Sequence, residues 1–233
     1  MARRIEPEWL DELPPDDRRA VRSRRDLARV NGLMSNAGIV AKLLADKLPE
    51  GPLRIAEIGA GDGRFAARLV RRLRQRKGHL VLVDRAPCVA ASLSHKLVAR
   101  GWTVEVANAD VFAWLQTPRD FDLIVANLFL HHFADPELQR LLHMASESAP
   151  LFVACEPRRS AFALAGSHLL GLIGCNEVTR HDAVVSVRAG FTGREISALW
   201  PQPHASGEKV SPRFVLEEGA RGLFSHAFRA RRA

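Results

Sequence analysis

The chain has 233 residues, 47% of them hydrophobic, which suffices for one substantial core and is modest for two. The N-terminus, Met-Ala-Arg-Arg-Ile-Glu-Pro-Glu, carries no apolar stretch of the signal-peptide kind, and residues 161–175, the longest apolar run, are interrupted by Ser167 and His168 below the ~20 residues of a bilayer span. With Cys88, Cys155 and Cys175 in no C-x-x-C spacing, these features argue against a secreted or membrane protein and for a cytoplasmic one, while the net charge of +8 keeps nucleic acid open as a partner.

In chain order, residues 1–50 read as an N-terminal helical segment. Leu13-Pro-Pro-Asp-Asp is a turn with an N-cap signal, residues 18–33 carry apolar side chains at helical spacing, and a second helix over 38–47 stops at Leu48-Pro-Glu-Gly51. Residues 51–233 follow as one domain in which strand and helix patterns alternate. Strands are predicted over 53–58, 79–84, 102–106, 121–126 and 150–155, and helices over 63–76, 88–99, 111–116, 135–146 and 159–173. Such alternation predicts an α/β sandwich: a mostly parallel sheet with helices on both faces. Residues 195–200 and 221–229 read as two strands joined by a polar loop, an antiparallel pair closing one sheet edge.

Much of the positive charge falls on the helix over 63–76. Arg64, Arg68, Arg72 and Arg76 recur every fourth residue, opposite Phe65, Leu69 and Leu73, with Arg71, Arg74 and Lys77 alongside. A solvated helix face and an RNA-binding stripe both fit this pattern. The basic N-terminus is nearly neutralised by its own acids, and no aromatic-interleaved basic strand is present to stack bases.

The richest stretch is Leu53-Arg-Ile-Ala-Glu-Ile-Gly-Ala-Gly-Asp-Gly-Arg-Phe65. Glycines at a strand-to-helix turn let backbone approach a ligand closely, and the helix start behind them offers unpaired N–H groups. The spacing is G-x-G-x-G, flanked by Glu57 and Asp62, acids that would repel a pyrophosphate and suit a cationic ligand such as S-adenosylmethionine. In a parallel sheet, ligands bind at the carboxyl ends of the strands, so strand-end residues matter most. Asp84 ends the second strand, placed either to accept from ribose hydroxyls or to cap a helix. Asp110 follows the third strand with Val111 beside it, placed either for an adenine amino group or as an N-cap.

At four points the chain resembles the class I S-adenosylmethionine-dependent methyltransferases: Glu57-Ile-Gly-Ala-Gly-Asp-Gly63, Asp84, Asp110-Val111 and Phe121-Asp-Leu-Ile-Val-Ala-Asn127. The resemblance covers about residues 50–230. It implies a Rossmann-like three-layer αβα fold, with a seven-stranded sheet whose last two strands are antiparallel. It also implies a cofactor site in which the glycine loop, with Gly59, Ala60 and Gly61, holds the methionine part, Asp84 the ribose and Asp110 the adenine with Val111 beside it, and to which Glu57, Arg85, Asn127 and Leu128 also belong. The C-terminal pattern looks like a small-molecule subgroup of ubiquinone-type and polyketide-modifying enzymes.

Asn127 is followed by Leu128-Phe129-Leu130 where nucleobase amino methyltransferases carry Pro-Pro and an aromatic. Cys155 sits late on an apolar strand, as a packing residue would rather than a nucleophile. Methyl transfer from a sulfonium needs alignment and, for a hydroxyl acceptor, a general base. Candidates for that chemistry are His131 and His132 past the fourth strand, His181 beside Asp182, and Glu156 at the end of the fifth strand, each of which has a structural alternative as a cap or a solvent-facing group. These residues lack the usual metal-ligand spacing, and no metal site is expected. The expected function is methylation, most simply O-methylation, of a small hydroxylated aromatic or polyketide-like molecule, producing S-adenosylhomocysteine. Alternatives are a ribosomal or transfer RNA methyltransferase using the basic helix, and a cofactor-binding regulatory protein without chemistry. The N-terminal helices are expected either as a lid over the cofactor cleft or as a surface pair at a sheet edge.

Overall fold

A computed structural model describes residues 1–14, 16–73, 77–117, 119–202 and 213–233. The predicted basic positions Arg74 and Arg76 lie outside the described residues. Three N-terminal helices, α1 (Trp9–Glu12), α2 (Arg18–Met34) and α3 (Asn36–Leu43), precede the sheet. Then come β1 (Leu53–Ile58), α4 (Arg64–Arg72), β2 (Gly78–Asp84), α5 (Ala91–Val98), β3 (Trp102–Asn108), α6 (Val111–Leu115) and β4 (Leu123–Asn127). A 3₁₀ turn (Leu130–His132) leads to α7 (Asp135–Ser148), β5 (Leu151–Pro157) and α8 (Ala161–His168). The chain ends with α9 (Glu177–Ala189), α10 (Glu195–Leu199), β6 (Phe214–Arg221) and β7 (Ser225–Arg232).

The seven strands lie in the order β3-β2-β1-β4-β5-β7-β6. The first five are parallel, and β7 runs antiparallel between β5 and β6. Strand order reverses between β1 and β4, so a crevice opens at their carboxyl ends. Central strands are mostly apolar because helices cover both faces: every residue of β5 is buried, and β1 exposes only Arg54. Two buried clusters fill the two layers. One packs Phe152, Phe228 and Trp200 under α6, α7 and α10, and the other packs Leu69, Leu80 and Trp102 under α3, α4 and α5.

The tail departs from the sequence expectation. Residues 195–199 form a helix, because Ile196 and Trp200 recur at helical spacing and both sink into the core beside Phe152 and Phe228. The antiparallel pair lies further on, as β6 and β7. The region 159–173 is α8, capped by Ser160 accepting from the Ala163 N–H, and then a separate 3₁₀ turn (Leu169–Ile173) ended by Gly174 in the left-handed region. The helix α9, unforeseen, is capped by Asn176 Oδ1, and it docks on α2 through Ser23–Thr179 (2.9 Å) and the Asn176 N–H on Asp26 (2.8 Å).

The arginines of α4 are partly used within the fold. Arg68 donates to the Ala28 carbonyl of α2, Arg72 lies over Gly38 of α3, and Arg64 pairs with Asp62. No helix among the described residues is long and apolar enough to cross a membrane.

Candidate active site

At the reversal in strand order lies a cavity of about 660 Å³, inside the range of small-molecule sites. One flank is the glycine loop and the ends of β2 and β3. The N–H groups of Gly59 and Ala60 both donate to the Val83 carbonyl (2.9 and 3.0 Å), which seats the loop on β2. Gly59 has φ +70°, and a Cβ there would meet the Phe129 ring at 2.1 Å, so only glycine fits. The Asp84 carboxylate accepts from the Gly61 N–H and the Ala86 N–H, both at 2.8 Å, and so holds the loop while lining the cavity. The Cys88 N–H closes the same loop on the Gly61 carbonyl (3.0 Å). Asp110 caps α6 with Oδ1, accepting from the Phe112 and Ala113 N–H groups, and also lines the cavity. Arg85, Val111 and Leu128 line this flank too.

Not every residue expected at the cofactor faces the cavity. Glu57 is buried beneath the loop and accepts from the Ala66 N–H (3.2 Å), with burial pushing its carboxyl well above the usual range. Its place is the start of α4. Ala60 and Gly61 contribute backbone to the loop rather than to the cavity wall. Asn127 accepts from the Asn36 amide (2.9 Å), which in turn accepts from Ser225 (2.8 Å).

The opposite flank is assembled from distant parts of the chain. The N-terminal strap, residues 1–12, contributes Ile5, Pro7, Glu8 and Asp11 to the cavity wall. Arg3 fixes this strap through Asp135 (2.7 Å) and the Ala189 and Phe133 carbonyls, lying over the Phe191 ring. The Trp9 and Leu10 N–H groups donate to Asp182, and Trp9 stacks on His181 at 3.8 Å. His181, expected near substrate, is thus covered by Trp9 and lies outside the cavity wall.

His131 and His132 do line the cavity. Glu156 is fully buried and gathers the turn that carries them: it accepts from the Phe129, Leu130 and His131 N–H groups and sits 2.8 Å from His131 Nδ1. His131 Nε2 is 3.4 Å from Glu8 Oε1, an ion-pair separation, and this buried nitrogen has no hydrogen-bond partner among the described residues. Ser186 of α9 donates to Glu8 in turn. Burial alone would lower the pKa of His131, but the carboxylates of Glu156 and Glu8 outweigh it and raise it to about 9. Burial, joined by the charge of His131, lowers His132 to about 4. Burial would raise the Glu8 carboxyl, yet His131, His132 and Ser186 hold it below its usual value. Between the flanks Phe112, Phe129 and Phe133 form an edge-to-face aromatic wall, with centroids 5.0 and 5.6 Å apart.

Glu8 and the strap were not expected at the site. No periodicity marks residues 1–8, and Glu8 reads locally as one acid among several neutralising nearby arginines. Phe129 stood out in the sequence only as part of the departure from Pro-Pro and an aromatic after Asn127, without its place against Gly59.

Residues 55–148 match the family model described as a methyltransferase domain. No curated protein sequence matches the chain. Among solved structures, magnesium protoporphyrin IX methyltransferase from Synechocystis PCC 6803 is similar, with 15% identity, 88% of this chain and 84% of that one covered, and a TM-score of 0.52. The plantazolicin methyltransferase BpumL, solved with SAH, has 11% identity, coverage of 94% and 92%, and a TM-score of 0.58. The mitomycin 7-O-methyltransferase MmcR has 18% identity and a TM-score of 0.57; 96% of this chain is covered but only 60% of that one.

Proposed function

We propose that this chain, a class I methyltransferase by its fold and by the match of residues 55–148, transfers a methyl group from S-adenosylmethionine to a hydroxyl of a small aromatic or polyketide-like molecule. The observation that carries this reading is one cavity of small-molecule size with Asp84 and Asp110 at one end, His131, His132 and Glu8 at the other and an aromatic wall between. S-adenosylmethionine supplies an electrophilic methyl on a sulfonium. The donor set fits it: Asp84 and Asp110 offer acceptor oxygens for ribose and adenine, the Gly59 turn leaves no side chain in the way, and the surplus of acids suits its positive charge. Arg85, Val111 and Leu128 complete that flank in this reading.

At the other end His132 is held neutral at pH 7 and offers a lone pair to an acceptor hydroxyl. His131 is cationic there, positioned by Glu156. Glu156 does not line the cavity, so it acts through His131 and the backbone of the turn. The strap of residues 1–12 takes the lid role and helps keep water from the reacting groups, whereas α2 and α3 stay out of the cavity wall. The proposed setting is cytoplasmic, in keeping with three cysteines that stand as separate free thiols.

A labelled-methyl assay against small-molecule extract and total RNA, run side by side, tests the reading. Label in the small-molecule fraction is the expected result. Label confined to RNA would overturn the choice of acceptor, and S-adenosylmethionine binding without transfer to either pool would point to a regulatory protein.

A further inference from the structure

His131 Nε2 is a buried nitrogen within ion-pair distance of the Glu8 carboxylate, with which it makes no aligned hydrogen bond. The separation, 3.4 Å to Glu8 Oε1, has another meaning: ligand atoms of a tetrahedral ion with bonds of ~2.05 Å stand ~3.3 Å apart. His132 supplies a third donor, and one ligand atom from each of Glu8, His131 and His132 falls within 4.8 Å of the others. Two of the three already have the outer partner that metal ligands commonly carry. Glu156 fixes His131 through Nδ1, leaving Nε2 for an ion, and Ser186 fixes Glu8.

The second buried histidine–carboxylate pair is built for a different purpose. Glu218, 2.9 Å from His226, also accepts from the Ile196 and Ser197 N–H groups, so that pair caps α10. Of these two histidines only His131 lies in the cavity wall, beside the His132 imidazole and the Glu8 carboxylate. The two carboxylates around His131, Glu8 and Glu156, are stabilised either by a proton on the ring or by a cation in its place.

We propose that Glu8, His131 and His132 bind one divalent ion of the zinc type, with its open position facing the cavity. Two imidazoles and one carboxylate are a donor set that zinc accepts, and three protein ligands with a free position suit a hydroxyl-bearing molecule. The proposal rests on the reading of this end as the acceptor site and replaces the base step there: with its lone pair on the ion His132 takes no proton, and instead the hydroxyl oxygen binds the ion, which lowers its pKa, and its proton leaves to solvent before methyl transfer. The acceptor is then a phenol or alcohol. Because Glu8 belongs to the strap, the ion also ties the strap to the turn after β4.

Calorimetric titration of chelator-treated full-length protein with Zn²⁺, and the visible absorption of the Co²⁺-loaded protein, test the site. One ion per chain is expected, with the intense ligand-field bands of a four-coordinate Co²⁺ centre. Glu8→Gln and His132→Ala should each abolish those bands, and Glu156→Gln should weaken affinity by ~10–100-fold by freeing His131. Far-ultraviolet circular dichroism of the same preparations reports whether each variant is folded, and S-adenosylhomocysteine binding is measured beside it. Protein that binds S-adenosylhomocysteine but takes up no Zn²⁺, or takes it up equally in folded Glu8→Gln and His132→Ala, overturns the ion site and leaves the methyltransferase reading standing. One Zn²⁺ lost in both variants, in protein with no affinity for S-adenosylhomocysteine, supports the ion site and overturns the proposed function.

Discussion

The two ends of the cavity are built in opposite ways. The glycine-loop end comes from successive strand-to-helix turns and is held largely by backbone hydrogen bonds, such as Gly59 and Ala60 on Val83. The strap end takes Glu8 from the N-terminus, the histidines from the turn after β4, Glu156 from β5 and Ser186 from α9. Local hydrogen bonds make the first end a property of the fold. Long-range side-chain packing makes the second adjustable, which is where enzymes sharing one donor need to differ in acceptor.

That contrast predicts separable defects. The largest is expected from Asp84→Ala, which removes two charged hydrogen bonds from the loop together with the proposed ribose acceptor. With about 1.5–3 kcal/mol for each such bond, S-adenosylhomocysteine affinity should fall ~100-fold or more by calorimetry. An Asp84→Ala protein that binds normally would break the assignment of this end.

Next in size, His132→Ala, which removes the proposed base, should lower kcat by ~100-fold while leaving S-adenosylhomocysteine affinity within about twofold, since general-base contributions run at ~10²–10⁴-fold. Equal losses in both measurements would erase the distinction between the two ends.

A pH series of thermal unfolding, with chelator present, probes the strap end alone. His131 rises from 6.5 to about 9 on folding, so its contribution to stability is complete below pH 6.5 and is lost as pH climbs through about 9. His132 goes the other way, its contribution being present above pH 6.5 and lost as pH falls through about 4. The decline between pH 6.5 and 9 therefore belongs to His131 of this pair, and His131→Gln should flatten it. An unchanged slope in that variant would count against the Glu8–His131–Glu156 arrangement. The smallest effect is expected from Trp9→Ala, which removes a ring stack of about 0.5–1.5 kcal/mol holding the strap on α9. Acceptor KM should rise ~3–10-fold, with cofactor affinity unaltered.

The legibility of the sequence follows the same division. Leu53 to Phe65 carries its strand, turn and helix in one run, and Asp84 and Asp110 stand at the ends of visibly apolar strands, so this end could be read without coordinates. The strap could not, because Arg3 and Glu8 acquire meaning only from Asp135, His131 and Ser186. Residues 195–199 misled for another reason: five residues with Ile, Leu and a following Trp fit a short strand as well as a helix, and burial of Ile196 and Trp200 on one face decides it. His181 pointed to chemistry because a histidine beside an aspartate resembles a base with its orienting partner. The structure does set His181 Nδ1 3.0 Å from Asp182, but it also commits that aspartate to the backbone of Trp9 and Leu10 and covers the ring with Trp9.

The closure of the glycine loop by Cys88 turns the molecule into its own reporter. Cys155 and Cys175 are buried, and burial pushes the Cys155 thiol far up, whereas Cys88 is exposed at the surface one hydrogen bond from Gly61. A thiol-directed fluorophore would therefore attach chiefly at the glycine-loop end of the cavity, where its emission follows the loop directly and the strap only at a distance.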